Sequence, residues 1–196
     1  FLSTLFEYKP EGTYVLIWTL QDEQSYWTPD LEDAARYAEG RGGEVDVYFG
    51  VGLASRAYES NQRLKQGIRE PAGIYGVWAD IDIAAPYRKL TRKVYPPTVE
   101  DALSLVGDTG LLPSCVVNSG GGLHCHWVFK EPWIFDTEAE CQQARTLLWQ
   151  WKETLKGRAA ARGWQVDSVS DLERILRVPG TWNHKAARPV ELWQKP

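Results

Sequence analysis

Methionine is absent from this chain of 196 residues, and no apolar run approaches the ~20 residues needed to cross a bilayer as a helix. A charged start leading into an apolar stretch and a small-residue cleavage site is missing too, which argues against a secretory signal. Cysteine is scarce: Cys115, Cys125 and Cys141 form no C-x-x-C pair, so neither a zinc site nor a disulfide framework is predicted. That thiol usage suits a reducing compartment, and the expected location is the cytoplasm. Internal repeats and low-complexity segments are lacking. A start at Phe1 without methionine reads as a fragment of a longer protein. Basic charge is not in excess either, since the net charge is −4.

What is present points to an ordered domain. Ten tryptophans and 43% hydrophobic residues exclude a disordered chain, and the length supports one well-buried unit with room for two lobes. Charge is unevenly distributed. Residues 1–60 carry four basic and eleven acidic groups, whereas 137–196 carry ten basic and seven acidic. Between them lie Arg63, Lys65 and Arg69, then Arg88, Lys89, Arg92 and Lys93. These clusters are either a solvated face or a track for a phosphate backbone. Tyr75, Tyr87 and Tyr95 near them could add base stacking.

The pattern predicts strands over 13–20 and 45–52, with a helix over 28–43 between them and another over 56–67. From residue 73 the order is strand (73–83), helix (98–107), two strands in "SCVVN" and "LHCHWVF", a long helix (137–162) and a closing strand "VELW" (190–193). This β-α-β-β-α-β order is that of a ferredoxin-like sheet, in which the first and third strands run side by side at the centre. The fold class is therefore α+β.

Side chains alternate across a strand, so Asp80 and Asp82 share one face, and His124 and His126 share one face of the third strand. If the two faces coincide, two carboxylates and two imidazoles meet. A pair of like charges this close on a strand gains nothing unless a cation lies between them, and oxygen ligands of this kind suit Mg²⁺ or Mn²⁺. The turn "SGGG" (119–122) before the histidines reads equally as a tight hairpin or as a phosphate cradle of exposed amides, with Ser119 as a further donor. Farther on, "VDSVSDLERILRVPGTWNHK" (166–185) concentrates Asp167, Asp171, Arg174, Arg177, Asn183 and Lys185 around one turn. Its "DLERILR" reads as a short helix capped by Asp171, with Arg174 and Arg177 along one side.

An Asp-x-Asp strand, a Ser-Gly-x-Gly-x-His hairpin and an Asp before an "RxPGTxNxK" turn, in that order, resemble the archaeo-eukaryotic primase superfamily. More narrowly they are similar to its primase-polymerase branch, of the viral, plasmid and CRISPR-associated type. The resemblance covers residues 73–185, and "VDVYFGVG" also looks like that branch's N-terminal strand. It implies a single catalytic core over 1–196, with an N-terminal α/β lobe (1–72) and a ferredoxin-like catalytic lobe (73–196). The implied activity is template-directed nucleotidyl transfer, as a DNA primase or DNA polymerase, from NTP or dNTP to the 3′-hydroxyl of a primer on single-stranded DNA.

The resemblance also assigns roles. Asp80, Asp82 and Asp167 would hold two divalent ions, Mg²⁺ or Mn²⁺. Ser119, Gly120, Gly121, Gly122 and His124 would hold the triphosphate, and Arg177, Asn183 and Lys185 would line the nucleotide pocket. Arg63, Lys65, Arg69, Arg88 and Lys89 are the candidate template contacts. Relatives often carry an aromatic residue where His126 stands. The zinc motif of some primases is missing, and a helicase or primase C-terminal domain is expected outside the fragment. Two other readings compete. His124-Cys125-His126 fits the His-hydrophobic-His metal site of rolling-circle nucleases, but these need a later nucleophilic tyrosine, and Tyr95 is the last in the chain. A non-catalytic RNA-recognition module would display stacking aromatics on the third strand, where this chain has histidines.

Overall fold

Two antiparallel sheets carry the fold in a computed structural model, which describes residues 1–84, 93–166 and 170–194. After a short helix α1 (Leu2–Phe6), the first sheet begins with β1 (Val15–Thr19), a fully buried strand. It pairs on one side with β2 (Gln24–Thr28) and on the other with β3 (Val47–Gly50). Between β2 and β3 runs α2 (Leu31–Arg41), which starts at Asp30, whose side chain accepts from the Glu32 and Asp33 amides. The sheet's last strand comes from far along the chain: β8 (Ile175–Arg177) pairs with β3, giving the order β2-β1-β3-β8.

The second sheet contains β4 (Gly52–Leu53), β5 (Gly73–Asp82), β6 (Cys115–Asn118), β7 (Gly122–Ile134) and β11 (Glu191–Gln194), in the order β11-β6-β7-β5-β4. Helix α3 (Val99–Gly107) connects β5 to β6, and α4 (Glu138–Ala161) leads from β7 to β8 of the first sheet. Both start at a capping box, Thr98 with Asp101 and Thr137 with Glu140, so two orphan amides are satisfied at each start. Strands β5 and β7 are adjacent, as the sequence predicts. Opposite Tyr75 their register shifts between the Ile74–Trp133 and Gly76–Val128 pairs, and Pro132, which has no N–H to donate, lies in that stretch. A small hairpin, β9 (Trp182–Asn183) with β10 (Arg188–Pro189), precedes β11. No helix among the described residues is long and apolar enough to cross a membrane.

Three expectations are corrected. No helix forms over 56–67. The Ser60 and Gln62 carbonyls that would bond within such a helix instead accept from β2: the Ser25 amide at Ser60, and the Ser25 hydroxyl (2.6 Å) and Trp27 indole (3.0 Å) at Gln62. The segment thereby covers an outer cluster of Leu16, Trp18, Trp27, Ala54 and Leu64. Nor is "DLERILR" a helix, because its second half is β8. Asp171 caps nothing and pairs with Arg174 at 2.9 Å.

The closing strand also departs from a ferredoxin-like order. The place beside β5 is taken by β4, and β11 lies on the opposite edge, against β6. The two sheets therefore exchange strands: β4 follows β3 directly into the second sheet, while β8 leaves the second half of the chain for the first.

Candidate active site

The cross-strand register sets the centre of the site. Asp80 lies opposite His124 and Asp82 opposite Gly122 on β5 and β7. Both carboxylates are half-buried, and His124 is 5% exposed. They open onto one cavity of about 430 Å³, lined also by Ser119, Gly121, Asn183 and Lys185 and by Arg174 and Arg177 from β8 and the residue before it. Leu20, Tyr48, Tyr95, Ile175 and Leu176 complete the wall. Residues from the three sequence motifs thus converge on one space, with acids on β5, imidazole on β7 and cations on the C-terminal segment.

The "SGGG" stretch is a two-residue hairpin. Ser119 N donates to Gly122 O (2.9 Å), and Gly120 adopts φ +81°, which a side chain would disfavour. A Cβ on Gly122 would lie 2.3 Å from Ile81 O, so glycine is required for β7 to approach β5 beside Asp82. The cradle's donors are partly committed within the turn: Gly120 N to Asn118 Oδ1 (2.9 Å) and Ser119 Oγ to Gly122 O (3.0 Å). Asn183 is committed as well. Its Nδ2 donates to Ser119 O (2.6 Å) and its Oδ1 accepts from Ala186 N (3.1 Å), which ties the β9–β10 hairpin to the glycine turn and sets Lys185 at the cavity.

Electrostatics define the state of His124. Burial first, then the charges of Arg177 and Arg174, lower its pKa from 6.5 to about 3. Its Nε2 lies 3.7 Å from Asp80 Oδ1, longer than a hydrogen bond, so this neutral imidazole makes no ion pair with the carboxylate. His124 Nδ1 is buried without a hydrogen-bond partner among the described residues.

His126 does not reach the cavity. Its ring is 0% exposed, Nδ1 lies 2.7 Å from the Tyr75 hydroxyl, and Phe1 and Phe49 pack against it. The shared face of β7 is therefore open at His124 and roofed at His126 by the first sheet and the N-terminus. That closes off the paired-histidine metal site, and among the described residues no aromatic platform of an RNA-recognition module stands in its place. Tyr75 is equally buried and cannot stack on a base.

Sequence reasoning passed over Asp46 and Tyr48. The Arg177 guanidinium pairs with the buried Asp46 carboxylate and lies over the Tyr48 ring, 4.7 Å from its centroid. Burial alone would raise the Asp46 pKa. The Arg177 hydrogen bond and charge, with bonds from Gln21 and the His184 amide, outweigh that and hold it below the ordinary carboxylate value. The available signal was alternation, since Asp46 and Tyr48 repeat the every-second-residue spacing of Asp80 and Asp82.

Other expected residues lie elsewhere. Arg63 rests on the Trp18 ring (4.8 Å), Arg69 Nε donates to Arg63 O (2.6 Å), and Lys65 is exposed; all three belong to the 56–70 cover and none lines the cavity. Asp167, Arg88, Lys89, Arg92 and Tyr87 lie outside the described residues. Two carboxylates lining one cavity suit a hard divalent cation that keeps water and phosphate oxygens as its other ligands. Among the described residues no group of three or more His, Cys, Asp or Glu side chains is placed to hold a metal.

No protein-family model and no curated protein sequence matches the chain. The AEP domain of the primase-polymerase (PrimPol) of cyanophage S-2L is similar in structure, with a TM-score of 0.59 over 100% of this chain and 86% of that one, at 15% sequence identity. At that identity the likeness is one of fold: an α+β fold of the primase-polymerase AEP type.

Proposed function

We propose that the chain is the catalytic core of a template-directed nucleotidyltransferase, a DNA primase or DNA polymerase that joins NTP or dNTP to a 3′-hydroxyl. One observation carries this reading: the Asp80 and Asp82 carboxylates share one cavity with a neutral imidazole, two arginines and a lysine. An acid pair facing cations and a polar histidine matches what a metal-bound triphosphate requires. Residues 1–196 act as one core, with 1–72 and 73–196 as its two parts; the exchange of β4 and β8 between the sheets supports treating them together.

Asp80 and Asp82, joined by Asp167, would hold two Mg²⁺ or Mn²⁺ ions. When bound, such ions supply the charge that acidifies a 3′-hydroxyl and stabilises departing pyrophosphate. The chain's own residues do the rest. His124, neutral in the free protein, offers a ring N–H to a phosphate oxygen without competing for the metal as a cation. Arg174 and Lys185 neutralise the triphosphate, Arg177 orients it, and Ser119 and Gly121 border it. Buried Leu176 and half-buried Tyr48 and Ile175 restrict water on the side facing the first sheet. Single-stranded template and primer are the macromolecular partners, with Arg63, Lys65, Arg69, Arg88 and Lys89 as candidate contacts. A helicase or primase C-terminal domain belongs to the proposed whole.

Primer extension and de novo priming, each with both nucleotide types and with Mg²⁺ or Mn²⁺, test the reading. The wild type should incorporate nucleotide, and the Asp80→Ala/Asp82→Ala variant should fall to background while keeping its melting temperature. Full activity in that folded variant would refute the metal assignment.

A further inference from the structure

A polar network beside the cavity centres on a carboxylate outside it. Asp46 is 3% exposed and precedes β3. Gln21 both donates to its Oδ2 (2.7 Å) and accepts from its backbone amide (2.8 Å), which fixes it to the turn after β1. On the other side, Oδ1 accepts from Arg177 and from the backbone amide of His184 (3.2 Å). Arg177 in turn lies over the ring of Tyr48, its cross-strand neighbour on β3. One carboxylate thus grips a cavity-lining guanidinium and the backbone next to Lys185, two groups from a segment more than 130 positions away.

We infer that Asp46 is a positioning residue for the nucleotide site, cancelling the charge of Arg177 while fixing its direction and anchoring the turn that presents Lys185. The inference rests on the nucleotidyltransferase reading. A buried guanidinium needs a partner, but burial does not require that partner to bind the turn after Asn183 as well. With its charge matched in advance, Arg177 serves to orient a phosphate more than to attract one, and net attraction falls to Lys185 and to Arg174, whose partner Asp171 is largely exposed.

Asp46→Asn keeps the shape and an accepting oxygen but removes the negative charge. Arg177 then carries unmatched charge into the cavity and is held less firmly in its direction. The expected result is a kcat lower by on the order of ten- to a hundredfold, as misplacement costs, with a lower KM for nucleotide. A purely structural role would lower the active fraction and leave kcat per active site intact, so active sites are titrated. Because Asp46 acts largely through Arg177, Asp46→Asn/Arg177→Gln should be no slower than Arg177→Gln alone; additive losses would overturn the inference, as would wild-type kcat and KM in Asp46→Asn.

If the single variant melts below the assay temperature, the neutral pair decides. It should regain melting temperature but not kcat, and wild-type turnover in it would refute the role. A wild type without nucleotide transfer would count against the nucleotidyltransferase reading instead. Equilibrium binding of ATP then tests Asp46 by itself: tighter binding by Asp46→Asn supports the assignment, and equal or weaker binding overturns it.

Discussion

Stability between pH 7.5 and pH 5 should depend on the buried histidine of the cavity, and the magnitude follows from its surroundings. In the unfolded chain His124 takes up a proton near pH 6.5. In the fold, burial and then Arg177 and Arg174 delay this to about pH 3. The unfolded state therefore binds more protons between those values, so the contribution is fully present above pH 6.5 and is lost as pH falls toward 3. Each pH unit over which only the unfolded chain holds that proton costs ~1.36 kcal/mol, so the loss is about 2 kcal/mol by pH 5 and about 4 to 5 kcal/mol by pH 3. His126, held well below its ordinary value by burial and then by His124, steepens the same limb. The perturbation is His124→Gln, which keeps a polar side chain and removes the titration. Urea unfolding followed by circular dichroism at pH 7.5, 6.5, 5.5 and 5.0 measures it. The variant's advantage relative to wild type should grow by about 2 kcal/mol across that range. Parallel curves for the two proteins would refute the claim that His124 is buried and neutral.

Two further outcomes follow from the geometry. Gly122→Ala would drive a Cβ to 2.3 Å from Ile81 O and 3.0 Å from the Asp82 Cα, both backbone; it should cost at least about 2 kcal/mol, or roughly 4–8 °C in Tm, and an unchanged melt would mean that β5 and β7 lie farther apart. Asp171→Asn removes a partly exposed ion pair with Arg174, so its stability cost should stay under about 1 kcal/mol, with any effect appearing as a small change in nucleotide KM; a loss well above that in thermal melts would restore a capping role.

How much could be read in advance depended on the range of the interaction. Local signals were reliable: the helices expected over 98–107 and 137–162 form as α3 and α4, and alternation in "ADID" and "LHCH" predicts faces without knowledge of partners. The failures all involve distant pairing. Residues 56–67 have helix-compatible side chains, yet their carbonyls bond to β2, some 35 positions earlier. "ILR" becomes a strand because β3 offers an unpaired edge and Asp46 a charge for Arg177. The closing strand meets β6 because β4 already occupies the edge of β5.

The same logic separates residues that look alike. His124 and His126 occupy equivalent positions on one strand face, and nothing in "LHCHW" distinguishes them. What differs is the layer above. At His124 the face meets open space and two arginines from a segment some fifty positions later; at His126 it meets Phe49, Phe1 and the Tyr75 hydroxyl. Asp46 shows the converse: an acid beside an apolar strand looks like Asp80, yet it does not line the cavity, and its oxygens accept from Gln21, Arg177 and the His184 amide. Alternation tells which side chains share a face, but coverage of that face decides which can meet a substrate. Coverage in this chain is set by the strand exchange between the two sheets, which brings Arg177 from β8 to Asp46 and leaves Asp80 and His124 lining the cavity.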